Sequence, residues 1–201
     1  MAIRTQPYLS LDDLILRPWT SSDVPELVPA YGDPAIQRWH TRTMTTTEAE
    51  EYVSPANDGW ARETASNWAV TDARAVLARM SLRTVLSEGR GSVGYWVIPS
   101  ARGRSIASRA LIAVSGWALG ELGLHRLELE HSTRNQASCR DAAKAGYSLE
   151  STKRSQALHE DGWHDMHLHT LLDDDLPVVR PENQQWWDMH AKGDAADGYA
   201  R

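Results

Sequence analysis

The chain has 201 residues, of which 41% are hydrophobic and 24% charged, with a formal net charge of −6 and a single cysteine, Cys139. That length suits one domain of about 150 to 170 residues with a core of its own plus a tail, and leaves no room for two full domains. The negative balance argues against a general nucleic-acid binder, and one cysteine excludes an internal disulfide and a cysteine-rich metal site, so a reducing cytoplasm is the expected compartment.

The opening residues, MAIRTQPYLSL, lack the apolar core of a signal peptide, and no run approaches a membrane span, so no membrane association is expected. Residues 1–13 read as an N-terminal arm. Residues 14–19 (LILRPW) alternate and stop at proline, as a first strand with an exit turn would. Ser21 and Ser22 can cap a following helix that has Pro25 in its first turn, turns Leu27, Val28 and Tyr31 inward, and is shortened or kinked by Pro29. Residues 32–43 read mostly as turn. Thr47 and Glu50 then form a capping box for a second helix containing Tyr52 and Val53, which Pro55 is expected to break.

Strands are expected over residues 68–72, 76–85 and 93–98, joined as a meander. Pro99 ends the last of them, and a helix starts near Ser105 with Ile106, Ala110, Val114 and Trp117 on one core-facing stripe. Between strand and helix, Arg102, Gly103 and Arg104 place unpaired backbone N–H groups, the positive end of the helix dipole and two guanidinium groups in one small volume. A pyrophosphate would satisfy all three. There is no Gly-Lys-Ser/Thr ending and no three-glycine fingerprint, which removes the nucleoside-triphosphate and dinucleotide loops.

Gly123 reads as the C-terminal cap of that helix, and residues 124–131 alternate as a fifth strand with Leu127, Leu129 and His131 on one face and Glu128 and Glu130 on the other. Asn135 caps a short helix, residues 136–145, that stops at Gly146. Two strands, residues 147–158 and 163–171, meet at the hairpin dipeptide Asp161-Gly162. Residues 173–201 form an acidic tail whose Trp186-Trp187 pair is expected to dock on the parent domain or on a second subunit, as in a homodimer.

The string Arg102-Gly103-Arg104-Ser105-Ile106-Ala107 resembles the acetyl-coenzyme A loop of the GNAT acyltransferase superfamily, Gln/Arg-x-x-Gly-x-Gly/Ala, with Ser105 in place of its central glycine. The opening strand and the string Asn135-Gln136-Ala137-Ser138 followed by Ala145-Gly146-Tyr147 are similar to the ribosomal-protein N-terminal acetyltransferase (RimJ/RimL-like) branch. The resemblance covers roughly residues 14–172. It implies a single α/β (α+β) domain with a mixed, mostly antiparallel, splayed sheet and helices on both faces. It also implies N-acylation of a primary amine, on a protein or peptide N-terminus or a small molecule, by acetyl-coenzyme A or another acyl-coenzyme A. The other readings are a natural-product or antibiotic acyltransferase using a longer donor, and a non-catalytic acyl-coenzyme A binder.

By the same resemblance, backbone groups of Val97 and Ile98 pair with the pantetheine arm. Arg102, Gly103, Arg104 and Ser105, continued by Ile106, Ala107 and Ser108, hold the diphosphate. Asn135 contacts the cofactor near its thioester, and Ser138 protonates the leaving thiolate. Trp39, His40, Trp96 and His167 are candidates for the acceptor wall. The carboxylate many relatives carry before the Gly-Tyr of the strand 93–98 is Ser92 here, and the glutamate some place nineteen residues after the serine is Ala157, so either the amine arrives already neutral through an ordered water or Glu130 or Asp165, then Glu128 or His131, serves as the base. Asp165, His167 and His169 share one face of the last strand, but three near-collinear ligands rarely converge on a metal without help from elsewhere, so no metal is expected.

Overall fold

The computed structural model describes residues 5–40, 43–72 and 74–175. Its strands are β1 (Leu9–Leu11), β2 (Leu14–Pro18), β3 (Ala65–Thr71), β4 (Val76–Val85), β5 (Arg90–Val97), β6 (Arg126–Ser132), β7 (Ser148–His159) and β8 (Gly162–Leu172). Its helices are α1 (Val24–Gly32), α2 (Pro34–His40), α3 (Thr46–Ala61), α4 (Ile106–Gly120) and α5 (Gln136–Lys144). The strands form one sheet in the order β1-β2-β3-β4-β5-β6-β8-β7. Every neighbouring pair is antiparallel except β5 and β6.

Alternation along the strands divides the apolar residues between two clusters. Trp68, Met80, Leu82, Val93 and Leu127 meet Ile106, Leu111, Val114 and Trp117 of α4. Ala69 and Trp96 point the other way, toward Leu27, Tyr31, Ile36 and Val53 of α1, α2 and α3. Helices therefore cover both faces, and each buried Leu, Ile or Val contributes about 1.5–3 kcal/mol.

Four local expectations are corrected. Residues 9–11 are an edge strand, not a free arm, because Asp12 turns the chain at φ 55° into β2. Residues 34–40 are helical where a turn was expected: the Asp33 carboxylate accepts from the Ile36 N–H at 3.0 Å and Pro34 occupies the first helical position. The capping box of α3 lies two residues earlier than expected, with Thr45 N–H donating to Glu48 at 2.7 Å and Glu48 N–H donating back to Thr45 Oγ1 at 3.2 Å. That helix runs through Pro55; proline removes one donor, and the carbonyl left without it belongs to exposed Glu51, where water can replace the bond. The Trp186-Trp187 pair lies outside the described residues.

Beyond the pairs Arg90↔Arg126 to Val93↔Leu129, β5 and β6 part. Strand β5 continues to Val97 along β4, and β6 continues to Ser132 along β8. The sheet is thus split from its edge inward, and the split opens beside the N-terminus of α4.

Candidate active site

The divergence leaves one edge of β5 without a partner strand. Ile98 N–H donates to the Leu77 carbonyl at 3.0 Å, so by antiparallel alternation Trp96 also bonds β4, while Tyr95 and Val97 turn their N–H and C=O groups into the split. Val97 lines the cavity. Ile98 is corrected: its N–H is held by β4 and its carbonyl accepts from Ala101 N–H at 3.0 Å, so neither is open to a pantetheine arm. The split holds a cavity of about 590 Å³, bounded by α2, the end of β5, the loop before α4, β6 and α5.

At the cavity's outer end the loop 102–105 is shaped by two left-handed residues, Gly103 at φ 79° and Ser105 at φ 55°. Nothing lies within 4 Å of where a Cβ on Gly103 would sit, so this stretch of backbone faces open space. Ser105 holds a conformation that glycine adopts freely and a side chain resists. Past it the first N–H groups of α4 have no helical acceptors. Arg102, Gly103, Ser105, Ile106 and Ala107 all line the cavity. Ser108 is corrected as a cofactor contact: it is 3% exposed, does not line the cavity, and its hydroxyl donates to the Ser105 carbonyl at 3.1 Å, shaping the turn.

The loop's cations are already held by aspartates from the N-terminal half. Arg102 pairs with Asp33 at 2.9 Å and its Nε donates to the Val97 carbonyl at 3.3 Å. Arg104 pairs with Asp72 at 3.3 Å, and Arg109 pairs with Asp13 and Asp12. The Arg102 hydrogen bond holds Asp33 below the usual carboxylate range.

At the inner end, Ser138 Oγ lies 2.9 Å from Tyr95 Oη. Asn135 reaches the same corner but spends its side-chain oxygen on the Ser138 N–H, at 3.2 Å, as the cap of α5. One helical turn beyond Ser138, half-buried Asp141 faces the same phenol, and burial pushes its carboxyl up against the opposing pull of Lys144 and Arg140. Burial also raises the Tyr95 phenol, Ser138 draws it down, and Asp141 adds to the rise. Sequence reasoning missed Tyr95 and Asp141, although the spacing of Ser138 and Asp141 puts both on one helix face.

Both expected bases, Glu130 and Asp165, are engaged with other groups. Glu130 borders the cavity but is paired with Lys153. Asp165 is corrected outright: it is exposed and accepts from the Ser155 N–H at 2.8 Å, filling a β-bulge in β7 away from the cavity. Trp39 and His40 do border the cavity, together with His159. His40 Nε2 donates to the Tyr95 carbonyl at 2.9 Å, and burial, then the charge of Arg79, lowers it to about 4. Trp96 is 3% exposed and its indole packs on Tyr31 and Trp19 in the core, leaving little to offer a substrate.

His167 is also corrected as an acceptor contact. It does not line the cavity, and its ring packs against His131 and His169, at centroid distances of 5.4 and 5.9 Å. With Cys139 these histidines place one donor atom each within 4.8 Å of one another. Burial lowers His131 and His169. The help that the strand ligands lacked in the sequence reading comes from β6 and α5.

A model of the acetyltransferase (GNAT) domain family matches residues 13–148. The probable N-acetyltransferase YjcK of Bacillus subtilis (strain 168) is 31% identical over 93 residues, 46% of this chain and 48% of that protein, so the chain spans about half the length of this curated relative. Among solved structures, the ribosomal-protein-S5-alanine acetyltransferase from Vibrio fischeri is similar in fold, with a TM-score of 0.76 at 19% identity over 86% of this chain and 100% of that one. Mycobacterium smegmatis RimJ in complex with CoA-disulfide matches with a TM-score of 0.76 at 18% identity, covering 90% of this chain and 93% of that one.

Proposed function

This chain belongs to the acetyltransferase (GNAT) family, and we propose that it moves an acetyl group from acetyl-coenzyme A to a primary amine of a peptide N-terminus or a small molecule. The observation that carries this reading is the parting of β5 from β6 after Val93, which leaves the Tyr95 and Val97 N–H groups without a partner strand, while their carbonyls accept from His40 and Arg102 and each keep a second lone pair. A strand edge without a partner accepts a linear, amide-bearing chain as it would a further strand. The pantetheine arm is such a chain. Its diphosphate would reach the left-handed loop 102–105 and the first N–H groups of α4, where helix dipole and guanidinium groups favour an anion. The M. smegmatis neighbour, solved with CoA-disulfide, supports this donor. The V. fischeri neighbour, named for an alanine of a ribosomal protein, supports a peptide acceptor.

In the reaction the amine nitrogen attacks the thioester carbonyl, a C–N bond forms, the C–S bond breaks, and one proton passes overall from nitrogen to sulfur. The Val97 N–H would stabilise the oxyanion. The chain Ser138, Tyr95, Asp141 supplies the proton path: Ser138 would face the sulfur, Tyr95 would relay, and Asp141, whose carboxyl burial pushes above the usual carboxylate range, would hold or yield the proton. Trp39, His40 and His159 wall the acceptor side. An amine that arrives neutral needs no separate strong base.

Free-thiol release from acetyl-coenzyme A, measured across peptides of varied N-terminus and small primary amines with mass spectrometry of the products, tests the reading. Calorimetry with coenzyme A alone separates its two halves. Binding without thiol release on any amine moves the assignment to an acyl-coenzyme A binder, and absence of binding rejects the site.

A further inference from the structure

We propose that His131, Cys139, His167 and His169 form a tetrahedral binding site for a divalent metal ion of the zinc class, which pins α5 to β6 and β8. The four residues come from three elements. His131 and His167 are direct partners across β6 and β8, His169 follows two residues on along β8, and Cys139 reaches them from α5. The site therefore does not depend on collinear ligands of one strand.

The imidazole nitrogens have no better use. His131 Nδ1 donates to the Ser132 carbonyl at 2.8 Å, which fixes the tautomer and leaves Nε2 as a buried acceptor without a partner. His167 Nδ1 is likewise buried and unbonded. His169 is 2% exposed with neither ring nitrogen in a well-formed hydrogen bond; a looser contact to the Tyr147 backbone is the nearest it has. Buried polar atoms left in this state are costly, and a cation that takes their lone pairs removes the cost.

The geometry suits a small ion. Zn–N bonds of about 2.0–2.1 Å and a Zn–S bond of about 2.3 Å place tetrahedral donors roughly 3.3–3.6 Å apart and imidazole centroids roughly 5.2 Å apart. The observed centroid separations are 5.0, 5.4 and 5.9 Å, and the donor atoms lie within 4.8 Å. Side-chain rotations that bring the donors together by about 1 Å close the tetrahedron. Three imidazoles with one thiolate select zinc over calcium or magnesium, which require oxygen ligands. Binding converts the Cys139 thiol to thiolate, with its proton released to solvent. All four positions are taken by protein, so the ion is structural, and the hydrogen bond from His131 Nδ1 supplies the outer support such ligands use. Cys139 adjoins Ser138, so the same ion would fix the helix that carries the proposed acid.

The test uses the full chain without an added histidine tag. After removal of metal with a chelator, zinc is added, excess is removed by gel filtration, and bound metal is counted by mass spectrometry; cobalt(II) replaces zinc for spectroscopy. Expected are one zinc per chain, a rise in Tm on adding zinc, and a cobalt complex with intense tetrahedral visible bands and a sulfur-to-metal band. Cys139→Ala should lose the sulfur band and weaken metal binding at least about 100-fold, since loss of an outer-shell partner alone costs up to about that much. His167→Ala should weaken binding while keeping the sulfur band, and His167 is only part-buried, so this variant is the safer one to fold. The proposal is overturned if the wild-type chain retains no more zinc than Cys139→Ala/His167→Ala, or if its cobalt complex shows weak octahedral bands without sulfur. None of these readouts depends on acetyl transfer.

Discussion

The Tyr95 phenol and the Ser138 hydroxyl share a hydrogen bond of 2.9 Å that ties β5 to α5 at the inner end of the cavity. On the proposed mechanism these two hydroxyl groups would act on the departing sulfur as a unit, so single removals should not add. Ser138→Ala and Tyr95→Phe are each expected to lower kcat by about 100-fold, the lower end of what a positioned acid supplies. Coenzyme A affinity should stay within about threefold in both, and the double variant should be no slower than the worse single one. Steady-state kinetics with calorimetry on all four proteins checks this. Independent, multiplicative losses would show that the two groups serve separate steps.

The carboxylates can be ranked in the same way. Asp141 faces Tyr95 from inside the cavity wall, Glu130 is tied to Lys153, and Asp165 is committed to the β7 bulge. Asp141→Asn should therefore cost about 10- to 100-fold in kcat with little change in KM, as loss of a proton-relay group does. Glu130→Gln should leave kcat within about twofold. Asp165→Asn should act on stability instead, removing a hydrogen bond worth about 1 kcal/mol. Parallel kcat and urea-melt measurements separate the three.

The loop before α4 offers a test of the donor end. Arg102→Glu exchanges a cation that lines the cavity for an anion beside the proposed diphosphate and should weaken coenzyme A binding by about 100-fold, or about 3 kcal/mol. Ser105→Gly should do the reverse on a smaller scale. At φ 55° the serine bears about 1 kcal/mol of left-handed strain, and glycine also lets the backbone approach a phosphate more closely. Affinity that is unchanged in the first variant and falls in the second would place the diphosphate elsewhere.

The sequence showed the parts whose signals are local. The strand 93–98, the arginine-glycine turn, the Asn135 cap and the Asp161-Gly162 hairpin are each set by neighbouring residues, and the structure has an element at each. What it concealed depends on distant pairing. That Ile98 is bonded to Leu77, while Val97 is not bonded to β4, follows from register with a strand twenty residues upstream. That Asp165 fills a bulge follows from the shift of β7 against β8. Tyr95 gained a role only when the split between β5 and β6 brought α5 against it, and Cys139 joined three histidines only through the packing of α5 on β6. Residues 34–40 and Pro55 depart from the sequence reading for a different reason, because proline opens α2 and is tolerated inside α3, where the carbonyl it leaves unbonded belongs to exposed Glu51.

His40 links the acceptor wall to folding stability. Burial and Arg79 hold its imidazole at about 4 against an ordinary 6.5, and its Nε2–H donates to the carbonyl of Tyr95. Between these values the unfolded chain takes up a proton that the folded chain refuses, so acid favours unfolding. Stability should be full above pH 6.5, fall as pH drops toward 4, and lose nothing further from this group below that. The slope is at most about 1.4 kcal/mol per pH unit, and the total about 3 kcal/mol. His131 and His169, also shifted down, act with the same sign, whereas the depressed carboxyl of Asp23 acts only below its ordinary value of 3.8. The measurement is therefore a comparison: urea unfolding of the wild type and of His40→Gln from pH 4 to 7.5. The variant should show the shallower pH dependence, and curves of equal slope would mean that His40 accepts a proton in the folded protein as readily as in the unfolded chain.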